Sequence, residues 1–156
     1  RGFAIDGRLA ADLPPQTQPA QTRALLARIA SWPEVTAAAE RAQAIGVARD
    51  RILIDPTHDF GKNTHHGLSL LRHVEDLVKT GWPVLMALSN KDFVGETLGT
   101  DLTHRLEGTL AATSLAAAQG ARIFRVHEVA ATRRVVDMVA AIAGAKPPAR
   151  TVRGLA

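Results

Sequence analysis

Ile52-Leu53-Ile54-Asp55-Pro56 is a short apolar run that ends on a carboxylate, and two later runs repeat the plan with basic groups. Val84-Leu85-Met86-Ala87-Leu88-Ser89-Asn90-Lys91 ends on an amine, and Ile123-Phe124-Arg125-Val126-His127-Glu128-Val129 carries a guanidinium and an imidazole. Near-continuous hydrophobic runs of this length suit strands buried on both faces. Helical patterns separate them. Residues 64–80 place Leu68, Leu71, Val74, Leu77 and Val78 on one face before Gly81 and Pro83. A Gly-containing loop at 90–100 leads to a helix from about Leu102 to Gln119, closed by Gly120. The last helix, about Ala131 to Ala143, shows Val135, Met138, Val139 and Ile142 before Gly144. The order β-α-β-α-β-α with short turns predicts a parallel sheet covered by helices. In a parallel α/β barrel the C-terminal strand ends converge on one face, so Asp55, Lys91, Arg125 and His127 would meet around one ligand.

Three strands are too few for a closed barrel, which takes eight strands and roughly 250 residues. They also leave two unpaired edges, an aggregation hazard unless covered. The chain has 156 residues and begins with Arg1, so the expectation is a fragment, or a sequence lacking an earlier half. A compact three-layer α/β domain is the other reading. Within the 156 residues, 1–33 read as an unassigned linker with a short helix at Ala20–Ala30. The barrel part is expected at 34–145, and a mobile basic tail at 146–156 with Lys146, Arg150 and Arg153. Ser31 and Glu34 are placed to cap a helix that runs to Gly46.

Composition narrows the function. Hydrophobic residues are 46% but aromatics only 4%, so Ala, Leu and Val must fill the interior. Without cysteine there is no disulfide scaffold, thiolate metal site or Cys nucleophile. That fits a cytoplasmic location, as does the lack of a membrane-length apolar run. A net charge of +4 could attract nucleic acid, but the arginines are scattered and Tyr is absent, so no basic stripe with interleaved aromatics forms. Neither nucleic acid nor a membrane is expected as a partner.

Each candidate has a plainer reading beside it. Asp55 can accept two parallel hydrogen bonds from a heterocycle edge, or serve as a turn residue before Pro56. Lys91 can donate to a flat ligand while its stem packs on it, or be a solvated loop lysine. Arg125 and His127 alternate with Phe124, Val126 and Glu128 and so point the same way. Arginine presents a fork matched to phosphate oxygens, and loops after the last barrel strands are a common phosphate site; a structural ion pair is the alternative. His58, Asp59, His65 and His66 could bind metal, but no helical i, i+4 His pair with a Glu base exists, and no metal ligand is assigned. Gly61-Lys62-Asn63 lacks the earlier glycine of a phosphate-binding loop, and Asp59-Phe60-Gly61 stands without the other kinase motifs.

These stretches together resemble the C-terminal half of the dihydropteroate synthase family. The resemblance rests on Ile52-Leu53-Ile54-Asp55-Pro56, Phe60-Gly61-Lys62-Asn63, Leu70-Leu71-Arg72 and Pro83-Val84-Leu85. It continues through Arg105-Leu106-Glu107-Gly108-Thr109-Leu110-Ala111-Ala112 and Arg125-Val126-His127-Glu128-Val129, and covers about residues 35–143. It implies a (β/α)8 TIM barrel of which only the last three or so βα units are present. It also implies a transferase of folate biosynthesis that joins a pterin pyrophosphate to 4-aminobenzoate with loss of pyrophosphate. By that resemblance Asp55 would hold the pterin edge and Lys91 would bridge the two substrates. Ser89 would line the aminobenzoate loop, and Arg125 and His127 would bind the leaving pyrophosphate. Mg²⁺ is the implied cofactor, its protein ligand belonging to the absent first half, and a homodimer through the late helices is implied.

Two departures bear on activity. After Asp-Pro the family has glycine, any residue, glycine, then Phe-Gly-Lys; here Thr57 and Asp59 replace the glycines. Thr57 adds a Cβ where a positive φ is expected. The family's Ser-Arg-Lys is Ser89-Asn90-Lys91, so a guanidinium is missing. The resemblance is therefore nearest to a divergent, inactive second-copy branch, and the isolated chain is expected to be inactive. A non-catalytic pterin- or phosphate-binding paralogue acting through dimerisation is the alternative.

Overall fold

The computed structural model describes residues 33–153. The expected helix at 20–30 and the Ser31 cap lie outside them. Helix α1 spans Pro33–Ala44, and Gly46 follows with φ 98°, the left-handed stop expected there. A 3-10 turn, Arg49–Arg51, leads into the first apolar run. The Arg49 guanidinium lies 3.9 Å from the Trp82 ring centroid and donates to the Gly81 carbonyl at 2.9 Å. That cation–π contact fastens the start of the first run to the start of the second.

The three runs lie side by side. Ile54 forms a parallel bridge with Val84, donating to Pro83 O at 2.9 Å and accepting from Leu85 N at 2.8 Å. Strand β1, Leu85–Met86, pairs in parallel with β2, Ile123–Phe124, Leu85 opposite Ile123 and Met86 opposite Phe124. The ladders are shorter than the six- and seven-residue runs expected from sequence, and the first run pairs at a single position. Pro83 brings no N–H to the first ladder, and neither outer run has a second neighbour within this sheet.

Alternation then sorts the side chains. Ile52, Ile54, Val84, Met86 and Leu88 join Leu70, Leu71, Val74, Leu77, Phe93 and Ala116 in one buried core, with Phe124 packed against it. The opposite face carries Leu53, Asp55, Leu85, Ile123, Arg125 and His127 by the period-two rule. Leu53 there is 49% exposed. Helices thus back one face of this sheet, and the other is open among the described residues.

Two elements differ from expectation. Residues 64–80 are two helices, α2 (Thr64–Arg72) and α3 (Val74–Lys79), broken at His73 with φ −116° and ψ 19°. Gln119 occupies the break: its amide donates to Leu71 O at 2.7 Å and its carbonyl accepts from Glu75 N at 3.2 Å. Those are backbone groups that the interruption leaves without helical partners. Residues 90–100, expected as a loop, contain helix α4, Asp92–Leu98, ended by Gly99 at φ 65°. Gly95 reads as a loop residue but is there for space, because a Cβ would fall 2.5 Å from the Arg105 guanidinium. Helices α5 (Leu106–Ala118) and α6 (Val129–Ile142) complete the order. After α6 the chain is irregular and largely exposed to Arg153, with Lys146 paired to Asp137 at 2.8 Å.

Candidate functional site

The loop after Asp55 is built around its own carboxylate and Lys62. Thr57 N donates to Asp55 Oδ1 at 2.7 Å. The Lys62 ammonium donates to Thr57 O at 3.1 Å, Thr57 Oγ1 at 2.8 Å and Phe60 O at 3.2 Å. Burial lowers the Lys62 pKa and the Asp55 charge opposes that. Thr57 has φ 54° and Asp59 φ 67°. Both therefore carry side chains in the left-handed region, unusual above all for a β-branched residue. Asn63 caps α2 by accepting from His66 N at 3.0 Å, while its own N–H donates to His66 Nδ1 at 3.3 Å.

His58 lies inside this loop at 1% exposure, its ring 5.6 Å from that of Phe93. Neither ring nitrogen has a hydrogen-bond partner among the described residues. Burial pushes the His58 imidazole down to about 4, and the Lys62 charge lowers it further. The Gly67 backbone opposes the shift, yet it lies outside hydrogen-bonding geometry, and burial dominates. His66 is lowered for the same two reasons, burial first and Lys62 second.

The second strand end is tied to the first. Lys91 Nζ donates to His58 O at 3.0 Å and lies 4.8 Å from the Phe60 ring centroid. Asp92 N donates to Asp59 Oδ2 at 2.7 Å. Asn90 has φ 58°, and its N–H donates to Thr109 Oγ1 at 3.2 Å. Arg105 reaches Asn90 O at 2.9 Å and Asp92 Oδ1 at 2.8 Å. Arg105 and Thr109, in a stretch noted by sequence but given no role, thus shape the turn that carries Lys91.

The third strand end meets the second at Ser89. Its Oγ lies 2.9 Å from His127 Nδ1 and 3.3 Å from both His127 N and Glu128 Oε2. Arg125 anchors by its backbone, donating to Met86 O at 3.0 Å. Its side chain is exposed and makes no ion pair or hydrogen bond among the described residues. Arg125 and His127 both lie at the surface, and the ion pair offered as the alternative for Arg125 does not form among the described residues. The geometry brings Ser89 to His127, and Lys91 to the loop that follows Asp55. Asp55 shares the open sheet face with Arg125 and His127 without a direct bond to either. A separate cavity of about 310 Å³ lies at the other end of the strands, lined by Val78, Trp82, Val84, Arg122 and Ile123 among others.

The family model for pterin binding enzymes matches residues 10–127. The chain belongs to the pterin-binding enzyme family. Its relatives include the inactive dihydropteroate synthase 2 of Mycobacterium tuberculosis, 80% identical over 123 residues that make up 79% of this chain and 39% of that protein. The chain thus spans about two fifths of the length of the curated relatives it matches. The structure of Mycobacterium tuberculosis Rv1207 superposes with a TM-score of 0.64 at 66% identity, covering 81% of this chain and 48% of that one. A Coxiella burnetii dihydropteroate synthase in complex with pteroic acid gives 0.72 at 32% identity, covering 78% and 44%. The fold is accordingly part of a dihydropteroate synthase TIM barrel, its last three βα units. In a barrel, the open face described above is the inner one.

Among the described residues no three His, Asp or Glu side chains gather as a metal site. Asp55 faces Thr57 N and Lys62, so the residues present do not fit a bound Mg²⁺, and no step is assigned to one.

Proposed function

We propose that this chain is a dihydropteroate synthase-like protein of folate biosynthesis in a catalytically impaired form. The observation that carries this reading is the end of β2. There an Arg125 guanidinium without a partner among the described residues stands two residues from His127, whose ring is oriented by Ser89. A free fork beside an oriented imidazole suits pyrophosphate oxygens. Such a pair would stabilise charge on a leaving pyrophosphate while an aniline nitrogen attacks the pterin carbinol carbon. Asp55, Ser89 and Lys91 would then serve the pterin edge and the 4-aminobenzoate ring.

Impairment follows from the same mouth. Asn90 supplies no cation where the family has arginine. Asp55 and Lys91 are both engaged by residues 57–58, and Asp59 brings negative charge to the loop. The second reading, a non-catalytic pterin- or phosphate-binding paralogue that acts as a dimer, is favoured by α6. It exposes Val129 (66%), Met138 (61%) and Ile142 (74%) to solvent. Residues 34–145 are proposed as the barrel part; the linker expected at 1–32 and the last residues of the expected tail, 154–156, lie outside the described residues. No helix among the described residues is long and apolar enough to cross a membrane, and a cytoplasmic location is proposed.

Calorimetric titration with pyrophosphate tests the phosphate assignment. Weak binding is expected in the parent chain and its loss in Arg125→Ala. Equal heats for the two proteins would remove Arg125 from the site.

A further inference from the structure

We propose that the loop Thr57–Gly61 is an autoinhibitory strap that closes over Lys91, so that a ligand must displace it to reach the amine. The inference rests on the reading of Lys91 as a ligand-facing group. Four contacts carry it. Lys91 Nζ is taken up by His58 O at 3.0 Å, and the Phe60 ring covers it at 4.8 Å. Asp59 Oδ2 binds Asp92 N at 2.7 Å, fastening the loop to the residue after Lys91. Asp55 Oδ1 is occupied by Thr57 N at 2.7 Å. One loop thus contacts two groups that a ligand would need, engaging one oxygen of Asp55 and one donor of Lys91.

The backbone gives an independent reason to regard this closure as built in. Thr57 and Asp59 hold φ values of 54° and 67°, where glycine would be unstrained. Both positions carry instead a side chain that makes a closing contact: Thr57 Oγ1 to Lys62 at 2.8 Å and Asp59 to Asp92. Glycine at 59 would keep the backbone path and lose the tether to Asp92 N, whereas glycine at 57 would lose only one of the three acceptors of Lys62. Phe60, 67% exposed, is held against an ammonium rather than buried in the core, so its position depends on the strap.

Lysine reactivity reads the strap without any ligand. The intact chain is acetylated with an N-hydroxysuccinimide ester, and Lys91 is followed by peptide mass spectrometry against the exposed Lys79. Lys91 should react several-fold more slowly than Lys79 in the parent. Asp59→Gly should raise its rate about fivefold, the effect of one lost hydrogen bond, with Lys79 unchanged. Asp59→Asn, which keeps an acceptor oxygen, should stay slow. Lys91 reacting as fast as Lys79 in the parent, or an unmoved rate in Asp59→Gly, would overturn the proposal. A parallel titration with 4-aminobenzoate should show tighter binding to Asp59→Gly. If Lys91 opens but 4-aminobenzoate still fails to bind, the ligand reading of Lys91 falls and the closure itself stands.

Discussion

At the scale of single residues, His58 shows how far burial can override an imidazole's ordinary behaviour. Its buried ring packs beside Phe93, its nitrogens lack partners among the described residues, and Lys62 adds positive charge nearby. The charged form is therefore disfavoured in the folded chain. Its folded pKa is about 4 against 6.5 unfolded. Between those values the unfolded chain holds a proton that the folded one refuses, so stability falls as pH drops through that window and levels off below it. The full effect is on the order of 3 kcal/mol. Thermal unfolding of the parent should show a melting temperature that declines from pH 7 to 4.5. His58→Leu should flatten that decline, leaving the smaller contribution of His66, which has the same sign. An undiminished slope in His58→Leu would mean that other groups carry the acid sensitivity.

At the scale of elements, close packing explains Gly95 and Gly108, neither of which holds a positive φ. A Cβ on Gly108 would fall 2.5 Å from Val94 Cγ1 and 2.8 Å from Leu98 Cδ1. Helix α5 therefore approaches α4 at a point where no larger residue fits. Val94 is β-branched and buried, so it yields little. Gly108→Ala should cost about 1–3 kcal/mol of overpacking, set against a helix-propensity gain of at most about 1 kcal/mol. A lowered melting temperature is the expected result, and a raised one would show that α4 and α5 have room to separate. The same reasoning explains why 90–100 reads as loop in the sequence. Gly95 and Gly99 look like turn signals, but one makes room for Arg105 and the other ends the helix.

At the scale of the whole molecule, the sheet has helices on one face and its other face is open among the described residues. Asp55 at the end of the first run and Arg125 and His127 on the third project from that open face by alternation. A transferase must hold two substrates in line while excluding water, and an open sheet face encloses neither. With Asn90 in place of a guanidinium and Lys91 bound to His58 O, the purified 156-residue chain should form no pteroate from a pterin pyrophosphate and 4-aminobenzoate. Enzyme-dependent product in that assay would show that the described half of the mouth suffices.

The sequence by itself determined the βαβ order, the parallel pairing and the family. Those rest on local hydrophobic period and on motifs whose residues are contiguous. It also indicated that Thr57 would take a positive φ, because a family glycine marked a backbone constraint. The partners of each polar group were decided only by the tertiary structure. Lys91 meets His58 across 33 positions, Ser89 meets His127 across 38, and Gln119 bridges the α2–α3 break across 48. Hydrogen bonds at such separations depend on how the elements pack, which no local pattern records.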